Sequence, residues 1–322
     1  MAKSKVFVTR VIPAKGLDLI RDFCDADIWS GELPPPQAEM IQRVRDVEGI
    51  VSMLTDKIQA ALMDAAPRLK VISNFAVGFD NIDAPEATRR KIPVGNTPGV
   101  LTDATADQTF ALLLASARHV VAGEKYVRSG KWMTWGPQLL LGADLAGATL
   151  GIIGFGRIGR AVAKRAQGFD LRVIYYGPTA EPAFGASPVD LDTLLRESDF
   201  VSLHVPLTSS TRRLVNAEFL SKMKSTAILV NTARGGVVDQ SALYAALKSK
   251  RILAAALDVT DPEPLPVDHP LLELENCLIV PHLGSASHHT RDRMSDLAAQ
   301  NLMAGLRGER LPNCVNPEVY GK

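Results

Sequence analysis

Apolar and polar positions along the chain fall into two series, each setting short apolar runs against stretches of helical period. In the first series the runs at 5–10, 26–30, 49–54 and 69–74 are too short for helices and carry β-branched or aromatic residues, so they predict strands, with a fifth at 92–95. Residues 14–23 bring Leu17, Ile20 and Phe23 round at helical spacing. Pro34, Pro35 and Pro36 break the chain, and the last can sit in the first turn of a helix running to about 46. Residues 58–65 are helical. Strands spaced by helices predict a parallel, doubly wound α/β sheet.

A long helix is predicted over 102–121, with Thr102 or Asp103 as its cap. Its middle, 110–117, is apolar on most faces, which suits a helix crossing between domains or buried at a subunit interface. Residues 130–137 are irregular and carry Trp132 and Trp135, either as a contact surface or as core filling. The second series has strands at 150–153, 172–176, 200–204, 227–231, 252–257 and 277–280, with helices at 157–168, 191–197, 217–223 and 240–248. A long helix over 286–306 closes the pattern.

The second series opens on Thr149-Leu-Gly-Ile-Ile-Gly154-Phe-Gly156-Arg-Ile-Gly159: an apolar strand, a glycine turn and a helix, the context a dinucleotide fingerprint requires. Gly154 allows the tight turn, Gly156 lets backbone approach a pyrophosphate, and Gly159 lets helix pack on strand. The helix N-terminus offers unpaired N–H groups and a positive dipole end to phosphate.

A length of 322 residues predicts two domains, and a net charge of +1 without long single-sign runs argues against nucleic-acid or membrane-surface partners. The start runs directly into a strand pattern, and no apolar run approaches the ~20 residues of a membrane helix, so a cytoplasmic location is expected. Cys24, Cys277 and Cys314 form no CxxC pair and are expected to be reduced thiols.

Three successive strands of the second series end beside chemically useful residues. Arg234 follows the fourth, Asp258 and Glu263 follow the fifth, and His282 follows the last. Parallel strands deliver their carboxyl ends to one rim, where open α/β sheets bind ligands. Reduction of a 2-oxo acid needs a hydride donor, a proton donor and a cation for the carboxylate. Histidine titrates near neutrality and suits proton donation. A carboxylate beside it favours the imidazolium and fixes its tautomer, and arginine grips a carboxylate bidentately. His119 and His269 lack obvious partners, His288 with His289 opens a helix, and no metal site is expected. In the first series Val77 and Gly78 lie just past a strand's carboxyl end, as an anion loop or as a plain loop with Asp83 capping the next helix.

The motifs NTPGVLTDATADQTFALLL, GIIGFGRIG, NTARGGVVD, LDVTDPEPLP and PHLGSAS resemble the D-isomer-specific 2-hydroxyacid dehydrogenase family, with the nearest likeness to its glyoxylate/hydroxypyruvate reductases. The resemblance implies a Rossmann cofactor domain at 100–286 inserted into a flavodoxin-like substrate domain made of 1–99 and 287–322. It implies that Arg234, Glu263 and His282 are catalytic, and that Val77, Gly78, Arg234, Ser285 and Trp135 bind substrate, Trp135 from a neighbouring subunit. For the cofactor it implies Gly154, Phe155, Gly156, Arg157, Ile158 and Gly159 at the glycine turn, and Gly177, Pro178 and Thr179 after the second strand. Later strand ends add His204, Val205, Pro206 and Thr211, then Thr232, Ala233 and Arg234, and finally Asp258, His282 and Gly284. A homodimer and a small 2-oxo acid substrate are implied. Formate-oxidising relatives carry glutamine where Glu263 stands. A nucleotide-sensing protein like the family's corepressor branch is the alternative from another class.

The second Rossmann strand departs from the NAD-preferring pattern. It ends Tyr175-Tyr176-Gly177-Pro178-Thr179, with no acid at 177 to repel a 2′-phosphate. No cation follows, although Arg157 in the glycine turn could supply one, and Glu181 is either a displaced ribose acceptor or solvated. NADPH is expected in preference to NADH.

Overall fold

The structure, a computed structural model, describes residues 2–177 and 181–321. Pro178 and Thr179 therefore lie outside the described residues. The chain divides into two compact units, Met1–Leu101 with Ser287–Lys322, and Thr102–Ala286.

The first unit holds β1 (Lys5–Val8), α1 (Ala14–Phe23), β2 (Asp25–Ile28), α2 (Gln37–Arg43), β3 (Gly49–Ser52), α3 (Ala60–Asp64), β4 (Val71–Asn74), α4 (Ala84–Arg89) and β5 (Val94–Gly95). All pairings are parallel and the order is β2-β1-β3-β4-β5, the flavodoxin-like arrangement. Every residue of β3 and β4 is buried, which explains why those segments read as continuous apolar runs. Pro36 stands at the N-cap position of α2, one residue before its first turn and without a capping side-chain bond, and Asp83 caps α4 by accepting the Glu86 amide at 3.0 Å.

The second unit holds α5 (Thr102–Ala117), α6 (Val120–Arg128), β6 (Thr149–Ile153), α7 (Arg157–Ala166), β7 (Arg172–Tyr176), β8 (Ser187–Pro188), α8 (Leu191–Glu197), β9 (Phe200–Leu203), α9 (Ala217–Lys222), β10 (Ile228–Asn231), α10 (Gln240–Lys248), β11 (Ala254–Leu257) and β12 (Cys277–Ile279). Its parallel sheet runs β12-β11-β10-β9-β6-β7-β8. Alternate strand residues feed two apolar layers. Ile152, Val173 and Val230 face Leu113 of α5 and Val162 of α7, while Ile153, Ile174 and Leu229 face Leu194, Phe219 and Leu243 of α8, α9 and α10. The closing helix, α11 (His288–Leu306), packs on α1 in the first unit.

Two expectations are corrected. The single helix over 102–121 is broken: α5 ends at Ala117, His119 takes the left-handed conformation with φ 52°, and α6 starts afresh. Neither glycine nor proline marks the break. Its cause is tertiary, because the Ala117 carbonyl accepts the amide of Ala143, where the chain returns. The apolar faces of α5 are accounted for by packing on α7, β10 and β11. The six-stranded cofactor sheet has a seventh strand, β8, which pairs only with Ile174 and Tyr175 and carries no apolar run to announce it.

Residues 118–141 belong to the second unit, and none of them is buried. Its helix α6 buries no residue, and Val120, Trp132, Met133, Trp135 and Leu141 are all exposed, Trp135 by 77%.

Candidate active site

The glycine turn has the conformation its sequence demands. Gly154 has φ 93°, and a Cβ there would stand 2.5 Å from the His204 carbonyl oxygen. A Cβ on Gly159 would meet the Gly154 carbonyl oxygen at 2.2 Å, so α7 packs against β6 only with glycine at that position. Gly156 differs: its Cβ would meet nothing within 4 Å. It is also the N-cap of α7 and makes no side-chain cap bond, so the first-turn N–H groups face open space. That cradle fits a pyrophosphate. Arg157 is exposed at the first helical position and Ile158 is half-buried. Phe155 is buried and stacks on Tyr175 at 4.0 Å between centroids, so only its main chain is open to a ligand. A Cβ on Gly177 would approach the Phe155 amide nitrogen at 3.4 Å, which sets the end of β7 beside the glycine turn.

The end of β9 supplies a half-buried imidazole. His204 Nε2 lies 2.8 Å from Ser202 Oγ, and burial pulls its pKa down to about 3. Val205 is half-buried and Pro206 exposed; the Pro206 carbonyl accepts the Thr211 hydroxyl at 2.6 Å, closing the loop on itself.

The end of β10 is held by Asn231, a residue the sequence reading passed over. Its side chain accepts the Ala233 amide at 3.0 Å and donates to the Arg234 carbonyl at 2.9 Å. Thr232 Oγ1 meets Thr109 Oγ1 of α5 at 3.0 Å, and Arg234 Nη1 donates to the Ala233 carbonyl at 2.8 Å. An asparagine as the last strand residue, directly before a glycine-containing loop, was the available signal. Gly235 brings this loop against the next, since a Cβ on it would fall 2.0 Å from the Thr260 carbonyl.

The end of β11 contributes Asp258 and Glu263. Asp258 is buried, and its carboxylate accepts the amides of Leu283 at 2.6 Å and Gly284 at 2.8 Å. Burial pushes its pKa up, opposed by those two amides and by His282. The Asp258 carbonyl accepts the His282 amide at 2.9 Å. His282 itself is left-handed, φ 55°, a conformation that persists when surroundings over-determine it. Asp258 supplies those surroundings from both its main chain and its side chain. The result places His282 Nδ1 2.5 Å from Glu263 Oε1, with both side chains partly exposed. Ser285 follows, half-buried.

The second unit thus gathers Arg234, Asp258, Glu263 and His282 at the carboxyl ends of β10, β11 and β12, paired in register through Asn231, Leu257 and Ile279. In the first unit, Val77 and Gly78 lie past the end of β4, both half-buried.

A family profile described as "D-isomer specific 2-hydroxyacid dehydrogenase, NAD binding domain" matches residues 110–284. The chain is 54% identical to the glyoxylate reductase of Korarchaeum cryptofilum, over 98% of this chain and 97% of that one. The chain belongs to the D-isomer specific 2-hydroxyacid dehydrogenase family.

Solved structures agree. The TT0316 protein of Thermus thermophilus is 51% identical, with a TM-score of 0.93 over 97% of this chain and 99% of that one. The NADPH-dependent glyoxylate/hydroxypyruvate reductase of Sinorhizobium meliloti, solved with NADP and malonate, is 34% identical with a TM-score of 0.87, covering 98% of each chain. This D-2-hydroxyacid dehydrogenase is an enzyme that takes a nicotinamide cofactor in its second unit. Among the described residues no helix is long and apolar enough to cross a membrane.

Proposed function

We propose that the dehydrogenase reduces glyoxylate to glycolate and hydroxypyruvate to D-glycerate, with NADPH used in preference to NADH. The observation that carries the chemistry is the 2.5 Å contact between His282 Nδ1 and Glu263 Oε1. It engages one ring nitrogen and leaves Nε2 as the atom for substrate. Support for the substrate comes from the glyoxylate reductases it matches.

A bound nicotinamide supplies the hydride. Arg234 holds the substrate carboxylate and polarises the carbonyl. His282 delivers a proton from Nε2 to the carbonyl oxygen, while Glu263 holds Nδ1–H and sets the tautomer. In the first unit, the amides of Val77 and Gly78 bind the carboxylate; this unit is the substrate domain. Ser285 and Trp135 complete the substrate contacts. The glycine turn, Gly177, His204, Val205, Pro206, Thr211, Thr232, Ala233, Asp258 and Gly284 hold the cofactor. Gly177, where an acid would stand in an NAD-preferring strand end, supports the NADPH preference.

The enzyme forms a homodimer through the segment 118–141, whose exposed Val, Trp and Leu side chains supply apolar contact area. Sedimentation velocity tests this, and a monomer at micromolar concentration rejects it.

Initial rates with glyoxylate and hydroxypyruvate, each with NADPH and NADH, test the activity. Faster turnover with NADPH supports the proposal, and an NADH preference assigns the ribose hydroxyls to another group, Glu181 being the nearest in sequence. No turnover with either cofactor rejects both substrates.

A further inference from the structure

Four consecutive carbonyls of the loop after β4 are tied down. The Ala76 carbonyl accepts the Thr97 amide at 2.9 Å, and that of Phe79 accepts the Ile82 amide at 2.9 Å. The Val77 carbonyl accepts Asn96 Nδ2 at 2.8 Å, and that of Gly78 accepts Asn74 Nδ2 at 2.8 Å. Among the described residues, no acceptor in the chain meets the amides of Val77, Gly78 or Phe79.

Peptide planarity links these two facts. In a trans peptide the carbonyl of one residue and the N–H of the next point in opposite directions. Holding the Ala76 carbonyl therefore aims the Val77 N–H, and holding that of Val77 aims the Gly78 N–H. By the same geometry, Asn74 aims the Phe79 N–H through the Gly78 carbonyl. Asn74 is fully buried, is the last residue of β4, and its Oδ1 accepts Ser52 Oγ from the end of β3 at 3.1 Å. The Gly78 carbonyl, which can only accept, fixes the amide orientation with Nδ2 toward the loop, and the Ser52 hydroxyl then donates to Oδ1. Nδ2 also donates to Asn81 Oδ1 at 3.5 Å, so this fully buried asparagine spends its donors on the loop after β4, which is costly to place unless the loop's conformation matters.

We infer that Asn74 is a positioning residue, and that the Phe79 N–H it orients is a third donor to the substrate carboxylate beside those of Val77 and Gly78. This rests on the reading of that loop as the carboxylate anchor. Three aimed N–H groups match an anion that accepts up to about four hydrogen bonds. They discriminate against substrates lacking the carboxylate, because the donors would then be left unpaired.

The test uses the full-length enzyme, oxalate as a non-reacting carboxylate probe, and the variants Asn74→Asp and Ser52→Ala. Asn74→Asp keeps the side chain's shape and cannot donate to the Gly78 carbonyl. Ser52→Ala frees Asn74 Oδ1 without placing a charge in the core, and serves if the first variant does not fold. In Asn74→Asp the glyoxylate KM and the oxalate Kd are expected to rise together by about tenfold, the cost of a lost hydrogen bond to a charged group. The kcat and the cofactor KM stay within about twofold, which a general loss of structure would not allow. Ser52→Ala shifts the same two constants in the same direction by a smaller factor. Hydrogen exchange read by mass spectrometry on the loop peptide is expected to show oxalate protecting three amides in the wild type and one fewer in Asn74→Asp. Wild-type oxalate affinity in both folded variants, or protection of Val77 and Gly78 alone in an active wild type, overturns this inference and leaves the proposed function standing. No protection of the loop, with no glyoxylate turnover by the wild type, overturns both.

Discussion

Glu263 Oε1 lies 2.5 Å from His282 Nδ1, joining two loops that follow neighbouring strands. The contact exists because Asp258 grips the His282 loop at three amides, those of His282, Leu283 and Gly284. His282→Ala removes the proposed proton donor and is expected to lower kcat by ~10²–10⁴-fold. Cofactor affinity, measured by fluorescence titration, stays within about threefold because the glycine turn is untouched. A loss of cofactor binding equal to the loss of rate would reassign His282 to a structural role.

Glu263→Gln keeps a group able to accept from Nδ1–H and removes its charge. The expected result is a fall in kcat of about 10²-fold with little change in KM, since the lost interaction strengthens only as the imidazole acts. Full activity in this variant would mean that the carboxylate's charge has no part in proton transfer.

Two glycine substitutions separate binding from folding. Gly156→Val places a side chain in open space, and Gly156 has φ −76°, so the fold tolerates it. Cofactor affinity is expected to fall at least about tenfold with Tm unchanged, because the side chain occupies the backbone's approach to phosphate. Gly159→Ala drives a Cβ to 2.2 Å from the Gly154 carbonyl and is expected to lower Tm. Calorimetry of both variants checks the contrast, and equal Tm losses would refute it.

Asp56 sets a pH dependence in the first unit. It is buried, its Oδ1 has no partner among the described residues, and burial raises its pKa above 3.8 against the Met53 amide, Thr9 and Arg10. Above the ordinary carboxylate range the unfolded chain has released a proton that the folded chain still binds. Stability from this group therefore falls as pH rises through the window between 3.8 and the raised value. Asp56→Asn removes the buried charge. Its Tm is expected to exceed wild type by roughly 2–4 °C near neutral pH, with the two converging in acid. A gap that widens in acid would contradict the sign.

Trp135 is 77% exposed, so Trp135→Ala removes little packing within the chain. Stability per protomer is expected to change by less than about 0.5 kcal/mol, while the glyoxylate KM rises several-fold. A Tm loss without a kinetic change would make it a purely structural side chain.

Much of this arrangement was legible in the residues alone. The parallel, doubly wound sheets followed from strands spaced by helices, because buried parallel strands read as short apolar runs. Gly154 and Gly159 announced their turn because each excludes a Cβ for a separate steric reason, whereas Gly156 leaves open the space a ligand would need. Arg234, Asp258, Glu263 and His282 could be assigned to one rim, since parallel strands end on the same side.

Other features depend on contacts between residues far apart in the chain, and local pattern could not carry them. The break after Ala117 is one, imposed by the returning amide of Ala143. The edge strand β8 is another, made by pairing with β7 rather than by its own composition. The left-handed backbone of His282 and the grip of Asn74 on the Gly78 carbonyl are of the same kind. Sequence period determines which face of an element is buried; the partner that meets each polar group there is decided only when distant segments are packed together.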